Sequence, residues 1–360
     1  MDNKYDIAIM GAGPAGSTLA RLLSAKYRVL LVDRRELLSP PQEKSSIKMC
    51  GGLLAPDAQK MLASLGLGLP HSVLTGPQIF VVRAIDLKQK LERYYQRAYL
   101  NIDRELFDRW MVSLAGSTVD IHTGVRFHSY EREKTGFRIQ LLKNDRKYAV
   151  SARVLIGADG ASSRVRKQAF PDSLMPARYI SIQEWFAADG VLPFFSAMFD
   201  PEITDFYSWI IPKGCSLILG AALLADNHPA AKFLLLKQKL TDYGFTFGES
   251  ICTKGTFLLR PSKSSHICTG KDSIALVGEA AGWISPSSAE GISYALKSAI
   301  SLAKALILDI DRFQEFYRAD SRWMARDILL KNVKSRVMYN PLLRKIIMQS
   351  GLMSVELCKI

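Results

Sequence analysis

The chain lacks the cysteine pattern of a disulfide or zinc scaffold. Its five cysteines (Cys50, Cys215, Cys252, Cys268, Cys358) form no C-x-x-C pair. An odd number without a secretion signal points to a reducing cytoplasm, and the absent pairing argues against structural zinc. The N-terminus, Met1-Asp2-Asn3-Lys4 with an apolar stretch that stops at Gly11, is no signal peptide. Long apolar runs are missing too. None approaches the roughly 18 to 20 residues of a membrane-spanning helix, and the longest candidates lie around Leu217–Ala225 and Ala303–Ile310. The histidines (His71, His122, His128, His228, His266) show no metal-ligand spacing, so no metal is expected. No G-x-S-x-G nucleophile motif, internal repeat or low-complexity linker is present. Acidic residues are in deficit, 34 against 48 Lys and Arg, for a net charge of +14. The basic residues are spread out with no nucleic-acid motif, which excludes a nucleic-acid partner. An anionic membrane surface, an acidic ligand or a merely solvated basic surface remains.

What is present is an ordinary globular balance over 360 residues, 48% hydrophobic and 23% charged. That length suits about two domains. The first 35 residues read as strand, turn, helix, strand: Tyr5–Met10, Ala15–Ser24 and Arg28–Val32, a unit that predicts a parallel sheet. Helices are predicted at Asp57–Leu65 and Arg104–Ala115. Short strands follow at Val119–His122, Arg126–Arg132, Phe137–Leu142, Lys147–Val150 and Val154–Ala158. A second β-rich block covers Tyr179–Ala222, Ile274–Val277 is a further strand, and from Gly291 the chain is mostly helical and basic.

Gly11-Ala12-Gly13-Pro14-Ala15-Gly16 is a G-x-G-x-x-G loop between a strand and a helix. Gly11 permits the tight turn, Gly13 lets the backbone approach a pyrophosphate, and Gly16 allows close helix–sheet packing. Unpaired amides at the helix start face the phosphates. Asp33 follows Gly11 by 22 residues and ends the second strand, where its carboxylate can accept from a ribose. The loop alone does not separate NAD from FAD. Gly157-Ala158-Asp159-Gly160 follows one strand, with a short basic helix at Ser162–Arg166. Gly278-Glu279-Ala280-Ala281-Gly282 follows another, with Glu290-Gly291-Ile292 opening a helix.

These three motifs, in this order, resemble the flavoproteins of the p-hydroxybenzoate hydroxylase fold. Within it the chain is most similar to the geranylgeranyl reductase family, its bacterial CbrA-type members included. The resemblance covers nearly the whole chain and implies FAD. It implies an α/β fold: a Rossmann-type FAD-binding domain assembled from residues 1–75, 100–175 and 268–312, an inserted β-rich substrate domain of residues 76–99 and 176–267, and a helical C-terminal region, 313–360. It also implies roles for single residues. Gly11, Gly13 and Gly16 would hold the pyrophosphate and Asp33 the ribose. Arg104 would lie against the FAD, and so would Asp159. Glu279 stands where most relatives have an aspartate on the ribityl chain. Gly291 and Ile292 would offer backbone donors to the flavin ring, stabilising negative charge on the reduced form. Pro14, Ala15, Arg34, Cys50, Gly51, Val125 and Gly278 complete the cofactor-binding set that the resemblance implies.

Two further segments resemble the reductases in particular. Lys48-Met49-Cys50-Gly51-Gly52 is similar to their K-x-C-G-G segment, near the flavin. Tyr207-Ser208-Trp209-Ile210-Ile211-Pro212-Lys213-Gly214 is similar to their Y-x-W-x-F-P-K-G segment, which lines the substrate cavity; here Ile211 replaces the aromatic. The substrate-binding residues so implied are Tyr207, Trp209, Ile211 and Pro212. Tyr207, Trp209 and Ile211 alternate and share one strand face, which suits an isoprenoid or another hydrophobic substrate, or equally a core strand. Phe186, Phe194, Phe195, Phe199 and Phe206 either extend that wall or fill the core. Cys50 reads as a packing residue, a flavin contact or a catalytic redox or proton-transfer group.

The leading expectation is an FAD-dependent reductase acting on C=C bonds of an isoprenoid or other hydrophobic small molecule or lipid. The sequence has no second G-x-G-x-x-G loop, so electrons come from transient NAD(P)H docking or a small carrier. An aromatic monooxygenase of the same fold and a non-catalytic FAD-binding protein with an envelope-related or regulatory role are the alternatives. The basic, partly apolar segment Arg312–Ile360 is either a helical cap over the cofactor domain or an amphipathic contact with an anionic membrane, which would place the protein at its cytoplasmic face.

Overall fold

A computed structural model describes residues 4–40, 50–188 and 193–358. The chain divides into two units: residues 1–48, 105–177 and 259–330 form one, and 49–104, 178–258 and 331–360 the other.

The first unit is built on a mixed sheet. Strand Lys4–Met10 lies between two parallel neighbours, Val29–Val32 and Arg146–Gly157, with Ile7 opposite both Val29 and Val154. Asp120–His122 extends one side; Ile274–Leu276 and Gly270–Lys271 extend the other. Alternation along Lys4–Met10 splits its side chains between two cores. Ile7 and Ile9 join the cluster containing Leu19, Leu302 and Leu306, hence the helices Pro14–Leu23 and Ile292–Leu308. Ala8 and Met10 join the opposite cluster with Phe137, Trp283, Met324 and Ile328.

One expectation fails here. Lys147–Val150 and Val154–Ala158 are not two strands but one, Arg146–Gly157. Its first half pairs antiparallel with Gly136–Lys143, through a turn in which Asn144 and Asp145 both take positive φ (47° and 60°). Its second half runs parallel to Lys4–Met10. Arg153, which looks like an interruption, simply points outward and pairs with Asp311.

The second unit is a large sheet in the order Ser250–Arg260, Ala177–Ala187, Ser216–Leu224, Ser208–Lys213, Phe195–Phe199, Ile79–Asp86, Leu91–Asn101, Leu53–Leu54. One face is covered by the helix Pro229–Tyr243, whose Phe233, Leu236 and Leu240 pack on Ile210, Leu219, Phe186 and Met198. Glu184 belongs to that face and pairs with Lys237 at 3.1 Å. The opposite face receives part of the C-terminal segment. Tyr339 contacts Phe199 and Phe206, and Arg344 from the helix Pro341–Ser350 reaches Asp86.

The unit boundaries depart from the expected domains in two places. Residues 50–75 belong with the β-rich unit, because Leu53–Leu54 pairs with Leu91–Asn101 and closes its edge. The C-terminal residues are no separate region: 313–330 pack in the first unit and 331–358 in the second. Among the described residues, no helix is long and apolar enough to cross a membrane.

The Asp86–Arg344 pair is buried on both sides, at 0% and 5% exposure, with Nε to Oδ2 at 2.7 Å. Arg344→Ala leaves a buried carboxylate unpaired and should cost about 3–5 kcal/mol. The double variant Asp86→Asn, Arg344→Met should recover most of that loss. Urea unfolding of the three proteins checks this; equal stability of the single variant and wild type would refute it.

Candidate functional site

In the first unit, three stretches of backbone meet at the glycines of the N-terminal loop. Gly11 has φ +110°, and a Cβ there would lie 2.4 Å from the Ala158 carbonyl oxygen. A Cβ on Gly16 would lie 1.8 Å from the Gly11 oxygen. No other residue type tolerates either position. The helix Pro14–Leu23 starts with Gly13 at the N-cap and Pro14 at its first position, and no side chain caps its first amides. The result is an anion cradle formed by backbone alone.

Asp33 is buried, and its carboxylate is already engaged. It accepts from Ala12 N–H at 2.8 Å and from Arg35 three times, through its backbone N–H at 2.8 Å and its guanidinium twice at 3.1 Å. Arg35 continues to buried Asp108 at 2.7 Å. Burial works against the charge on Asp33, but the Arg35 guanidinium and these hydrogen bonds outweigh it and hold the carboxyl below its ordinary range. A ribose hydroxyl reaching Asp33 would share oxygens already used to close the loop. Arg34, the residue favoured from sequence, is exposed, and Arg35 has the paired position.

Asp159 holds the next turn. One oxygen accepts from Arg164 N–H (2.7 Å) and Val165 N–H (3.3 Å); the other, Oδ1, is buried and has no partner. Burial raises the carboxyl above its ordinary range. An unpartnered buried acceptor beside the glycine cradle fits a cofactor hydroxyl. Arg166, 1% exposed, donates to the carbonyls of Leu174 (2.9 Å), His266 (3.0 Å) and Ala280 (3.4 Å), tying the second nucleotide motif to the third. In the third motif, the Gly278 amide is occupied by Ser298 Oγ at 2.9 Å, and Glu279 reaches the Leu259 amide at 2.9 Å. Gly291 caps the helix Ile292–Leu308, so Gly291 and Ile292 do stand at a helix start. Val125 is buried and donates its amide to the Asp33 carbonyl at 2.9 Å.

The second unit holds its own cluster. Lys48 and Met49 lie outside the described residues. Cys50 Sγ accepts from Arg104 at 3.3 Å and from Gly52 N–H at 3.5 Å. Arg104 opens the helix Arg104–Ser113. Lys213 is buried in the same cluster. Its ammonium donates to Asn101 Oδ1 (2.5 Å), Ile102 O (2.6 Å) and Gly52 O (3.0 Å). A Cβ on Gly51 would lie 2.5 Å from Ile211 Cδ1. Two segments about 160 residues apart in the chain thus close on one another, with Asn101 between them.

Tyr207, Trp209 and Ile211 do share a face, opposite the one that packs on Pro229–Tyr243. Trp209 and Ile211 are buried and Tyr207 is half-buried, with its ring 5.3 Å from that of Trp209. Pro212 does not join them. Alternation turns it to the other face, opposite Leu217 of the core. Its missing N–H is harmless because pairing with Phe195–Phe199 ends at Ile210, and its carbonyl accepts from Asn101 at 2.8 Å. Phe186 belongs to the core beneath Pro229–Tyr243, while Phe199 and Phe206 meet Tyr339.

Comparison with known proteins agrees with this geometry. The FAD binding domain family matches residues 4–183. The chain is 40% identical over 356 residues to Protein CbrA of Escherichia coli O9:H4 (strain HS), covering 99% of this chain and 96% of that one. A geranylgeranyl bacteriochlorophyll reductase-like protein from Thermoplasma acidophilum superposes with TM-score 0.82 at 19% identity, over 96% of this chain and 90% of that one. PqsL, described as a probable FAD-dependent monooxygenase from Pseudomonas aeruginosa, superposes with TM-score 0.69 at 17% identity, over 97% and 99%. The glycine cradle, the uncapped helix and the buried acceptor at Asp159 all suit FAD.

Gly16→Ala forces the Pro14–Leu23 helix away from the loop. Purified protein should lose at least about tenfold in FAD affinity, about 1.4 kcal/mol, read as the flavin-to-protein absorbance ratio; full occupancy would refute the cradle. A second expectation concerns Lys213, whose amine burial pushes down from 10.5 to about 7. Between those values the unfolded chain binds a proton that the folded chain does not, so this residue makes the unfolding free energy rise with pH. Below about 7 both states are charged and its contribution is flat. Lys213→Met should flatten the rise in urea unfolding between neutral and alkaline pH; parallel curves for both proteins would count against a depressed amine.

Proposed function

The chain belongs to the FAD-binding flavoprotein family that includes the CbrA proteins, and from that premise we propose that it is a reductase of C=C bonds in an apolar, isoprenoid-like substrate. The observation that carries this reading is the union of the two reductase-like segments: Lys213 holds the Gly52 carbonyl at 3.0 Å, and Ile211 packs where a Gly51 side chain would stand. It agrees in class with the reductase-like structure from Thermoplasma acidophilum.

Bound FAD supplies the hydride chemistry. The glycine cradle and the Pro14–Leu23 helix start hold its pyrophosphate, and Asp159 offers an acceptor to a hydroxyl. Tyr207, Trp209 and Ile211 form the apolar wall that orients a hydrophobic chain and excludes water. Cys50, held by Arg104, stands as the proton-transfer group. With a single G-x-G-x-x-G loop in the sequence, reducing equivalents arrive from transient NAD(P)H or a small electron carrier. A lipid substrate would be drawn from an anionic bilayer by the last helix and the turn after it. There Leu342, Ile346, Leu352 and Met353 are all more than 60% exposed beside the basic Lys345.

The decisive experiment is anaerobic. Reduced holoprotein mixed with polyprenyl lipids should reoxidise with formation of a more saturated product, and Trp209→Ala should slow this by at least about tenfold. Reoxidation by no polyprenyl compound removes the reading. Oxygen-dependent NAD(P)H consumption with oxygen incorporated into a ring would assign a monooxygenase instead. Co-sedimentation with anionic but not zwitterionic vesicles is expected; indifference to lipid charge would refute the bilayer contact.

A further inference from the structure

The face of the second sheet that carries Trp209 is not uniformly apolar. Three polar atoms on it are buried without a partner: Trp209 Nε1, Trp185 Nε1 and Gln183 Oε1. Strand register places them together. Trp209 and Gln183 both lie opposite Gly220 on the strand between them, and Trp185 follows Gln183 by two residues on the same face. A Cβ on Gly220 would lie 2.3 Å from Trp209 Nε1, so the indole, N–H included, sits directly over Gly220. Ser181, also on this face, engages one end of the Gln183 amide at 3.4 Å and leaves the other end unpaired, whichever way the amide is turned. Gln183 is 2% exposed and Trp209 6%. A folded chain rarely buries two indole donors and an amide without partners, because each loses water and gains nothing. Such groups persist where a ligand supplies the missing half.

We propose that Gln183, Trp185 and Trp209 form a recognition site for an oxygen-bearing headgroup, so that the substrate is an apolar molecule ending in a carboxylate, carbonyl or hydroxyl and not a bare hydrocarbon. The indole N–H groups donate to that oxygen, and the amide completes its hydrogen bonding. The wall of Tyr207 and Ile211 takes the apolar body. This rests on the reading of the Trp209 face as the substrate wall, and it deepens that reading by naming what the substrate must carry.

The test uses FAD-loaded full-length protein and three probes with one isoprenoid skeleton: farnesoic acid, farnesol and farnesene. Binding is read by perturbation of the flavin spectrum and by tryptophan fluorescence. The acid or the alcohol should bind at least about tenfold more tightly than the hydrocarbon. Trp185→Phe and Gln183→Met should each abolish most of that preference. The same two variants, without probe, should melt at the wild-type temperature or above, because each removes a buried unsatisfied group. That arm holds even if none of the probes binds. Equal affinity for all three probes overturns the inference. So does a fall in melting temperature, since the atoms would then have partners in the folded chain, and so does loss of FAD from either variant, since they would then serve the cofactor. Headgroup-selective binding without flavin reoxidation would sink the reductase reading and keep this site; reoxidation by acid and hydrocarbon alike would do the reverse.

Discussion

The closest approach of backbone to backbone in the first unit sets the terms for everything around it. With Gly16 pressed on the Gly11 carbonyl and Gly11 on the Ala158 carbonyl, the loop, the first helix and the second nucleotide motif occupy space that side chains normally claim. Such packing needs lateral support, and charge supplies it. Asp33 gathers the Ala12 amide and three donors of Arg35, which in turn reaches Asp108. Arg166 ties the following motif to the third through the Ala280 carbonyl and also donates to Leu174, His266 and Ser173. The cradle is rigid because its walls are backbone and its buttresses are buried hydrogen bonds, which is what preorganised binding of a pyrophosphate demands.

The second unit follows a different rule. Its sheet has one face given to the Pro229–Tyr243 helix and an opposite face that carries Tyr207, Trp209 and Ile211, and strand alternation sorts residues between them. Lys213 stands at the end of that second face. Removing an ammonium from water is costly, and the cost is offset by three oxygens within 3.0 Å. Two of those oxygens are backbone carbonyls, of Gly52 and Ile102, on either side of the segment from Cys50 to Arg104. The lysine therefore fixes the turn beside the sulfur and the strand end that launches the guanidinium. Its place in a Pro-Lys-Gly sequence is explained by where its amine goes rather than by turn formation.

How much of this was legible in the sequence depends on the range of the interaction. The glycine loop was readable because its glycines answer a local steric demand. The alternation of Tyr207, Trp209 and Ile211 was readable because a strand has period two, and the same period excludes Pro212, a consequence that motif similarity hid. Arg35 went unnamed beside Arg34 because adjacency in the chain says nothing about which side a residue faces. Arg146–Gly157 was split because Arg153 looks like a break when its outward partner, Asp311, is 158 residues away. The placement of residues 50–75 rests on a two-residue strand, Leu53–Leu54, too short to leave a periodic signal.

The polar atoms around Gly220 belong to the same long-range class. No window of sequence joins Gln183 to Trp209; only the intervening strand does, through a glycine whose Cβ site the Trp209 indole occupies. A wall meant solely for hydrocarbon would be better made of phenylalanine and leucine, which match indole and amide in bulk and leave no unpaired hydrogen-bonding group behind. Keeping tryptophan and glutamine there costs stability, whereas the first unit hydrogen-bonds even its buried Arg166. Asp159 beside the glycine cradle keeps one buried oxygen unpaired in the same way, so both units leave polar atoms open where a bound molecule is proposed.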